Sequence, residues 1–272
     1  MGKNNNITAG LRFRTAILAA CCLILAACAS QPSATLSRIP ADQIADETSK
    51  SGLFTQPLKY EKTAPNCRGD CPSLKVDSLI FPGVPILTEL VDHALVVLTA
   101  IGSASPLPYT TLNEFEEHYW QTAGPRDETL LSAKAIYRNK SLTVLELNTW
   151  QYFTGAAHGI PATQYLIWDN EQEKVLGTND IFQPGRYDDY VKILQQAHQQ
   201  WAQKAIKESQ LNADDFERLW PFQPNDNLAF TDKGIVVKYN AYDIAPYYMG
   251  QPEILLDYQQ LSGILKPEYL PN

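Results

Sequence analysis

Alternating apolar and polar positions predict β-strands along much of the chain after residue 52. The segments 53–63 and 74–81 largely alternate, which is the period of a strand with one buried face. Five more strands are predicted at Leu130–Arg138, Leu142–Tyr152, Ala162–Asp169, Gly234–Tyr239 and Glu253–Tyr258.

Helical periodicity interrupts these strands. Residues 84–101, 110–121 and 187–208 repeat apolar side chains every three or four positions, and a short helical turn is predicted at 259–265. The predicted apolar face of the first helix is Ile86, Leu87, Leu90, Ala94, Val97 and Leu98. Thr110 or Thr111 is the expected N-cap of the second helix. Long antiparallel-type strands with segregated helices predict an α+β fold, with antiparallel sheets and helices packed on one face.

The first 27 residues have the pattern of a lipoprotein signal peptide. Lys3, Arg12 and Arg14 precede an apolar stretch, 15–27, that is shorter than the roughly twenty helical residues needed to cross a bilayer. Leu25-Ala26-Ala27-Cys28 resembles a lipobox, which predicts cleavage before Cys28 and its acylation; the alternative is an ordinary cleavage site with a chance cysteine. Ala29 after the cysteine favours the periplasmic side of the outer membrane, by resemblance to sorted lipoproteins.

Composition divides the rest of the chain into a tether and two subdomains. Residues 28–52 are rich in Ser, Ala, Gln, Asp and Pro and predict a flexible tether. Residues 53–122 are predicted to form a small N-terminal α+β domain, and residues 123–272 a C-terminal one.

The chain is acidic. Its net charge is −8, and without the three basic residues of 1–27 it has 19 basic and 30 acidic residues, a net charge of −11. Nucleic acid is therefore not an expected partner, since phosphate contacts need clustered Lys and Arg. The charge could attract a basic protein, or it could serve solubility alone.

Cys67 and Cys71 are the two cysteines left after Cys28 and the signal segment. In an oxidising compartment we expect them to form a disulfide, which would stabilise the fold by roughly 2 kcal/mol for so short a loop. Their CxxxC spacing, with no histidine nearby, gives less support to a redox or metal role.

The most distinctive segment is a bend of small residues, Thr154–Gly159, between two predicted strands. Glycines 155 and 159 allow positive φ or a close approach to another segment. His158 is expected to hydrogen-bond backbone groups that the bend leaves unpaired. The alternative is a catalytic or ligand-contacting His158.

A second distinctive segment is the loop 240–251. Its candidate ligand-binding residues are Tyr242, Pro246, Tyr247, Tyr248 and Met249. Tyrosine is enriched in interface hot spots because it offers a large, rigid, amphipathic surface. The alternative is that these rings simply cover the sheet.

Enzyme signatures such as G-x-S-x-G, HExxH, the P-loop and G-x-G-x-x-G do not occur in the sequence. We therefore predict a non-enzymatic protein with no cofactor and no metal site. His198 is expected to be packed inside the fold, and Trp220 is expected to anchor a loop.

The bend and the loop together resemble the RsiV family, the extracytoplasmic domain of lysozyme-sensing anti-sigma factors and of many lipoproteins. The matches in the bend are Thr154, Gly155, Ala157, His158 and Gly159, with Ala156 in place of a family glycine. Further matches are Trp168-Asp169, the segment 179–182, the strand 234–239 and the YDIAPY segment 242–247. Residues 53–122 look more loosely like a small domain that is also found beside a peptidoglycan deacetylase.

The resemblance implies a binding domain with a lysozyme-type or cell-wall-related ligand. Together with the net charge of −11, it predicts a basic envelope protein such as lysozyme as the partner. The expected contact with a membrane is through the lipid anchor only. The alternative is a peptidoglycan-processing accessory protein, or a weak hydrolase or deacetylase, that uses His158 as general base.

Overall fold

The computed structural model describes residues 53–100 and 106–270. The predicted signal peptide, Cys28 and the whole of the predicted tether, 28–52, lie outside the described residues. Within those residues, no helix is both long and apolar enough to cross a bilayer. The predicted α+β class is confirmed, with one six-stranded and one three-stranded sheet.

The larger sheet has its six strands in chain order. They are β1 (Gln56–Thr63), β2 (Ser73–Ile80), β3 (Glu128–Arg138), β4 (Leu142–Tyr152), β5 (Ile160–Asp169) and β6 (Lys174–Val175). Every neighbouring pair is antiparallel except β2 and β3, which are parallel. The exception follows from the connection, because two helices lie between these strands and return the chain to the same end of the sheet.

These two helices are α1 (Pro85–Leu98) and α2 (Leu112–Thr122). Thr111 is the N-cap of α2, and its hydroxyl accepts a hydrogen bond from Glu114 N while the Glu114 carboxylate accepts one from Thr111 N. The parallel pairing of β2 with β3 runs across residue 122, the predicted domain boundary; the division into two domains stays a prediction.

The buried face of α1 differs from the predicted face. Leu87, Val91, Leu95, Val96 and Leu98 are buried, whereas Ile86 and Val97 are exposed. Apolar residues surround most of this helix, so periodicity alone does not fix its rotation. The observed face is the one that packs against the large sheet.

The second half of the chain adds three helices and the smaller sheet. These are α3 (Thr178–Ile181), α4 (Tyr187–Ser209), α5 (Ala213–Leu219), β7 (Leu228–Phe230), β8 (Gly234–Lys238) and β9 (Glu253–Asp257). Two 3₁₀ turns occur at Tyr247–Met249 and Pro267–Tyr269. The segment 259–265, predicted as a helical turn, forms hydrogen-bonded turns and no continuous helix: Leu265 N donates to Leu261 O, and Leu265 pairs with Phe182 in an isolated bridge.

Two apolar cores lie on opposite faces of β4 and β5. Leu145 and Trp168 belong to the core under α1 and α2, whereas Val144 and Ile167 belong to the core shared with α4 and the smaller sheet. Consecutive residues of a strand point to opposite faces, so these strands are buried on both sides. The fold is therefore layered around the large sheet.

Asparagine side chains connect the smaller sheet to the outer edge of β5. Asn227 Oδ1 accepts from Tyr165 N at 2.7 Å, and Asn227 Nδ2 donates to Thr163 O at 2.8 Å. Asn240 Oδ1 accepts from Thr163 N at 2.9 Å. These amides give the β5 backbone the partners that another strand would otherwise supply.

The predicted disulfide is confirmed. Cys67 and Cys71 are bonded, with their Cα atoms 5.8 Å apart. They close the loop between β1 and β2, where Ala64 N also donates to Pro72 O.

Candidate functional site

The bend 154–159 and the loop 240–251 meet in the structure. His158 Nε2 lies 3.1 Å from the Tyr242 hydroxyl, although the two residues are 84 positions apart. The ring of Tyr247 stacks on His158 with 3.7 Å between centroids, and the Trp220 ring stacks on Tyr242 at 6.2 Å. We call His158, Trp220, Tyr242 and Tyr247 the aromatic–histidine cluster.

The hydrogen-bond partners of His158 determine the tautomer of its neutral ring. Its Nδ1 lies 3.0 Å from Gly159 O, and a carbonyl can only accept, so Nδ1 carries the proton. In the neutral ring Nε2 is then the acceptor, and the Tyr242 hydroxyl donates to it. Gly159 O also accepts from the Tyr247 hydroxyl at 2.7 Å. One backbone carbonyl therefore holds two rings of the cluster.

Asp127, just before β3, anchors the start of the bend. Its Oδ1 accepts from Thr154 N at 2.7 Å and from Thr154 Oγ1 at 2.6 Å, and its Oδ2 accepts from Gly124 N at 2.9 Å. Burial disfavours the charged carboxylate, but these hydrogen bonds outweigh burial and hold the pKa of Asp127 below its usual value.

Two glycines of the bend have separate steric roles. Gly155 has φ of +90°, a conformation that residues with a side chain rarely adopt. Gly159 lies against Trp150, and a Cβ there would collide with the indole ring. The two roles are those expected from the sequence: positive φ at one glycine and close approach at the other.

The loop 240–251 is anchored from within. Ile244 and Ala245 are fully buried, and Asn240 N donates to Asp243 Oδ2 at 2.7 Å. Burial raises the pKa of Asp243, and the hydrogen bond from Asn240 partly offsets this. Tyr242 has φ of +75°, which costs about 1–3 kcal/mol for a non-glycine residue and persists only where its surroundings impose it.

The five candidate ligand-binding residues are not equally accessible. Tyr242 and Tyr248 are exposed, at 52% and 66% of their surface. Pro246, Tyr247 and Met249 are half-buried, and Met249 packs against the apolar cluster that contains a phenylalanine of α5. The loop therefore exposes two tyrosine rings to solvent, and the other three side chains pack beneath them.

The described histidines are far from forming a common site. His93 Nδ1 donates to Thr110 O at 2.9 Å, and His118 lies beside Tyr109. His198 is buried on α4, as expected. Across residues 53–100 and 106–270, no group of three His, Cys, Asp or Glu side chains is placed to hold a metal ion.

Two residues of this region have roles that the sequence does not reveal. Trp220, expected only to anchor a loop, extends the cluster because its ring stacks on Tyr242. Asp127 gives no signal, because an isolated carboxylate before a strand is common; its role is visible only once Thr154, 27 positions away, is placed beside it.

The fold and the site together define a layered α+β domain that displays an aromatic loop braced by a histidine. The family model described as a protein of unknown function, DUF3298, matches residues 179–259. A DUF3298 family protein of Pseudomonas aeruginosa PAO1, known from its crystal structure, is 35% identical with a TM-score of 0.72. The match covers 81% of this chain and 97% of that one. The chain therefore belongs to the DUF3298 family.

A second crystal structure, of a DUF3298 member from Bacteroides fragilis NCTC 9343, shares the fold. It is 20% identical, with a TM-score of 0.60, over 80% of this chain and 95% of that one. No curated protein matches this chain in sequence. The matched family and structures carry no description of an enzymatic activity.

Proposed function

We propose that this protein is a lipoprotein, anchored through Cys28 on the periplasmic side of the outer membrane, that binds a basic envelope protein of the lysozyme type. The observation that carries the proposal is the braced loop: exposed Tyr242 and Tyr248 stand on a backbone held by His158, Tyr247 and buried Ile244. A loop ordered before binding loses less conformational entropy when it docks.

The charge of the chain supports a basic partner. A net charge of −11 after residue 27 would speed the approach of a cationic protein more than it would deepen the final affinity. The resemblance to the RsiV family adds support, because two of the segments that carry it, 179–182 and 234–247, fall inside the DUF3298 match, whereas the bend 154–159 precedes the match.

The binding proposal is tested by calorimetry with lysozyme and the mature chain carrying Cys28→Ser. We expect binding at low salt that weakens as ionic strength rises. Tyr248→Ala should weaken it about tenfold, the loss of one hot-spot side chain. Ile136→Ala removes an exposed apolar side chain of β3, outside the cluster, and should leave affinity unchanged. Absence of binding at low salt, or equal losses in both variants, would contradict the proposal.

The anchoring part has a separate test. Cells expressing the full chain and its Cys28→Ala variant are labelled with radioactive palmitate. We expect label on the first product and none on the second, and an unlabelled first product would refute acylation.

The alternative function, peptidoglycan processing with His158 as general base, has less support. Both ring nitrogens of His158 are engaged, one by Gly159 O and one by the Tyr242 hydroxyl. A general base needs a lone pair within reach of a substrate proton. Turnover of peptidoglycan fragments that disappears in a folded His158→Ala variant would reverse this preference.

A further inference from the structure

A groove separate from the loop 240–251 opens between α4 and the segment 216–222. It encloses about 410 Å³, within the range of small-molecule sites. One side is formed by α4 and the other by α5 and the residues that follow it. The two sides differ in chemistry.

The α4 side presents a row of amides. Gln195, Gln199 and Gln203 line the groove at intervals of four residues. Four residues of a helix rise about 6 Å, so the three amides follow one another along the groove. Each amide both donates and accepts hydrogen bonds.

The opposite side is aromatic. Phe216, Trp220 and Phe222 line it, and the stacking of Trp220 on Tyr242 fixes the orientation of the indole. Glu217 is the one charged side chain among the described residues that line the groove. A ligand with an apolar face and a polar rim, and without negative charge, fits this combination.

His198 also lines the groove and is almost completely buried, since only 5% of its surface is exposed. Its Nε2 has no hydrogen-bond partner among the described residues. The ring contacts Trp201 and Phe222, at centroid distances of 5.8 and 5.4 Å. A buried polar atom without a partner is rare and costly, and a bound hydroxyl would satisfy it.

We propose that this groove binds a short neutral oligosaccharide of disaccharide size. The C–H faces of the sugar would pack on Trp220 and Phe222, while its hydroxyls would bond the glutamine row and His198. Burial lowers the pKa of His198, which favours the uncharged ring at neutral pH. An uncharged imidazole can hydrogen-bond a sugar hydroxyl but has no positive charge with which to attract an anion. The groove shares Trp220 with the aromatic–histidine cluster, but Gln199 and His198 line the groove alone, so Gln199→Ala tests sugar binding without altering the cluster.

The test is an NMR titration of the mature chain carrying Cys28→Ser with cellobiose, maltose and N,N′-diacetylchitobiose. We expect saturable shifts of the Trp220 indole and of glutamine side-chain amides with at least one disaccharide. Gln199→Ala and Trp220→Ala should each weaken binding about tenfold. Gln196→Ala is the matched control, because Gln196 is exposed on the same helix and is not part of the groove.

Three results would overturn the proposal. The first is no saturable shift with any of the three sugars up to their solubility. The second is equal affinity in Gln199→Ala, Trp220→Ala and the unchanged protein. The third is binding of arginine amide without binding of any sugar, which would assign the aromatic wall to a cation instead. Lysozyme binding is measured separately, so neither outcome decides the other.

Discussion

Asp127→Asn is the sharpest test of how the bend at 154–159 is held. The carboxylate accepts three hydrogen bonds, two from Thr154 and one from Gly124, and the residue is 8% exposed. An asparagine has the same shape, but one oxygen becomes an NH₂ group. Whichever way the amide turns, a donor then faces a donor.

The expected loss of stability in Asp127→Asn follows from this geometry. Leaving one buried donor unsatisfied costs about 1–3 kcal/mol, and the remaining bonds lose the strengthening that a charged acceptor gives. We therefore expect Asp127→Asn to lower the free energy of unfolding by about 2–4 kcal/mol at pH 7. For a domain of this size that corresponds to a fall in Tm of about 4–16 °C.

The assay is thermal unfolding followed by circular dichroism from pH 7 to pH 2. Burial opposes ionisation of Asp127, but its hydrogen bonds outweigh burial and lower its pKa in the folded protein. Its contribution to the free energy of unfolding is therefore fully present above the pKa of the unfolded chain, about 3.9, and is lost as the pH falls through the folded pKa. The stabilities of Asp127→Asn and the unchanged protein should therefore approach each other as the pH falls. The control is Glu128→Gln, which removes the same charge from the exposed neighbour.

Two results would refute the reasoning. One is equal stability of Asp127→Asn and Glu128→Gln at pH 7. The other is a difference in stability that is as large at pH 2 as at pH 7, because the contribution of a carboxylate whose folded pKa is lowered decreases as the pH falls below its unfolded pKa.

Two further substitutions test the smaller sheet. Gly234→Ala should destabilise the fold by at least about 2 kcal/mol, because the new Cβ would collide with a backbone carbonyl oxygen of β9. A denaturant titration that shows less than half of this loss would contradict the close approach of β9 to Gly234. Asn227→Ala removes the acceptor of the Tyr165 amide and should cost about 1–3 kcal/mol. Hydrogen exchange of the Tyr165 amide should be faster in Asn227→Ala. It should be unchanged in the control Gln200→Ala, which truncates an exposed side chain of α4. Equal exchange rates in the two variants would argue against the hydrogen bond from Tyr165 N to Asn227.

The periodicity of apolar residues is sufficient to predict the long strands and helices, but not the short ones. The strands β3, β4 and β5 end within two residues of their predicted bounds, because each has ten or eleven residues of strand-forming sequence. The strand β7 has three residues, all buried, and α5 has seven, so neither repeats long enough to give a period. The rotation of α1 depends on which apolar side the sheet covers, which is tertiary information.

The candidate site is predictable in its parts but not in its assembly. Small residues around His158 indicate a bend, and the tyrosines that follow Asn240 indicate a contact loop. Their meeting depends on the smaller sheet docking on β5, which Asn227 and Asn240 direct through hydrogen bonds to the strand backbone. Asparagine in a loop is ordinary, so nothing in the sequence distinguishes these two from others.

The asparagine contacts to β5 also bear on self-association. A strand edge with free backbone groups can recruit the same edge of another molecule and begin an aggregate. Here Thr163 and Tyr165 already use those groups within one molecule. Growth by strand addition on this side would first have to detach the smaller sheet, so the opposite border, formed by β1, is the easier place for a second chain to attach.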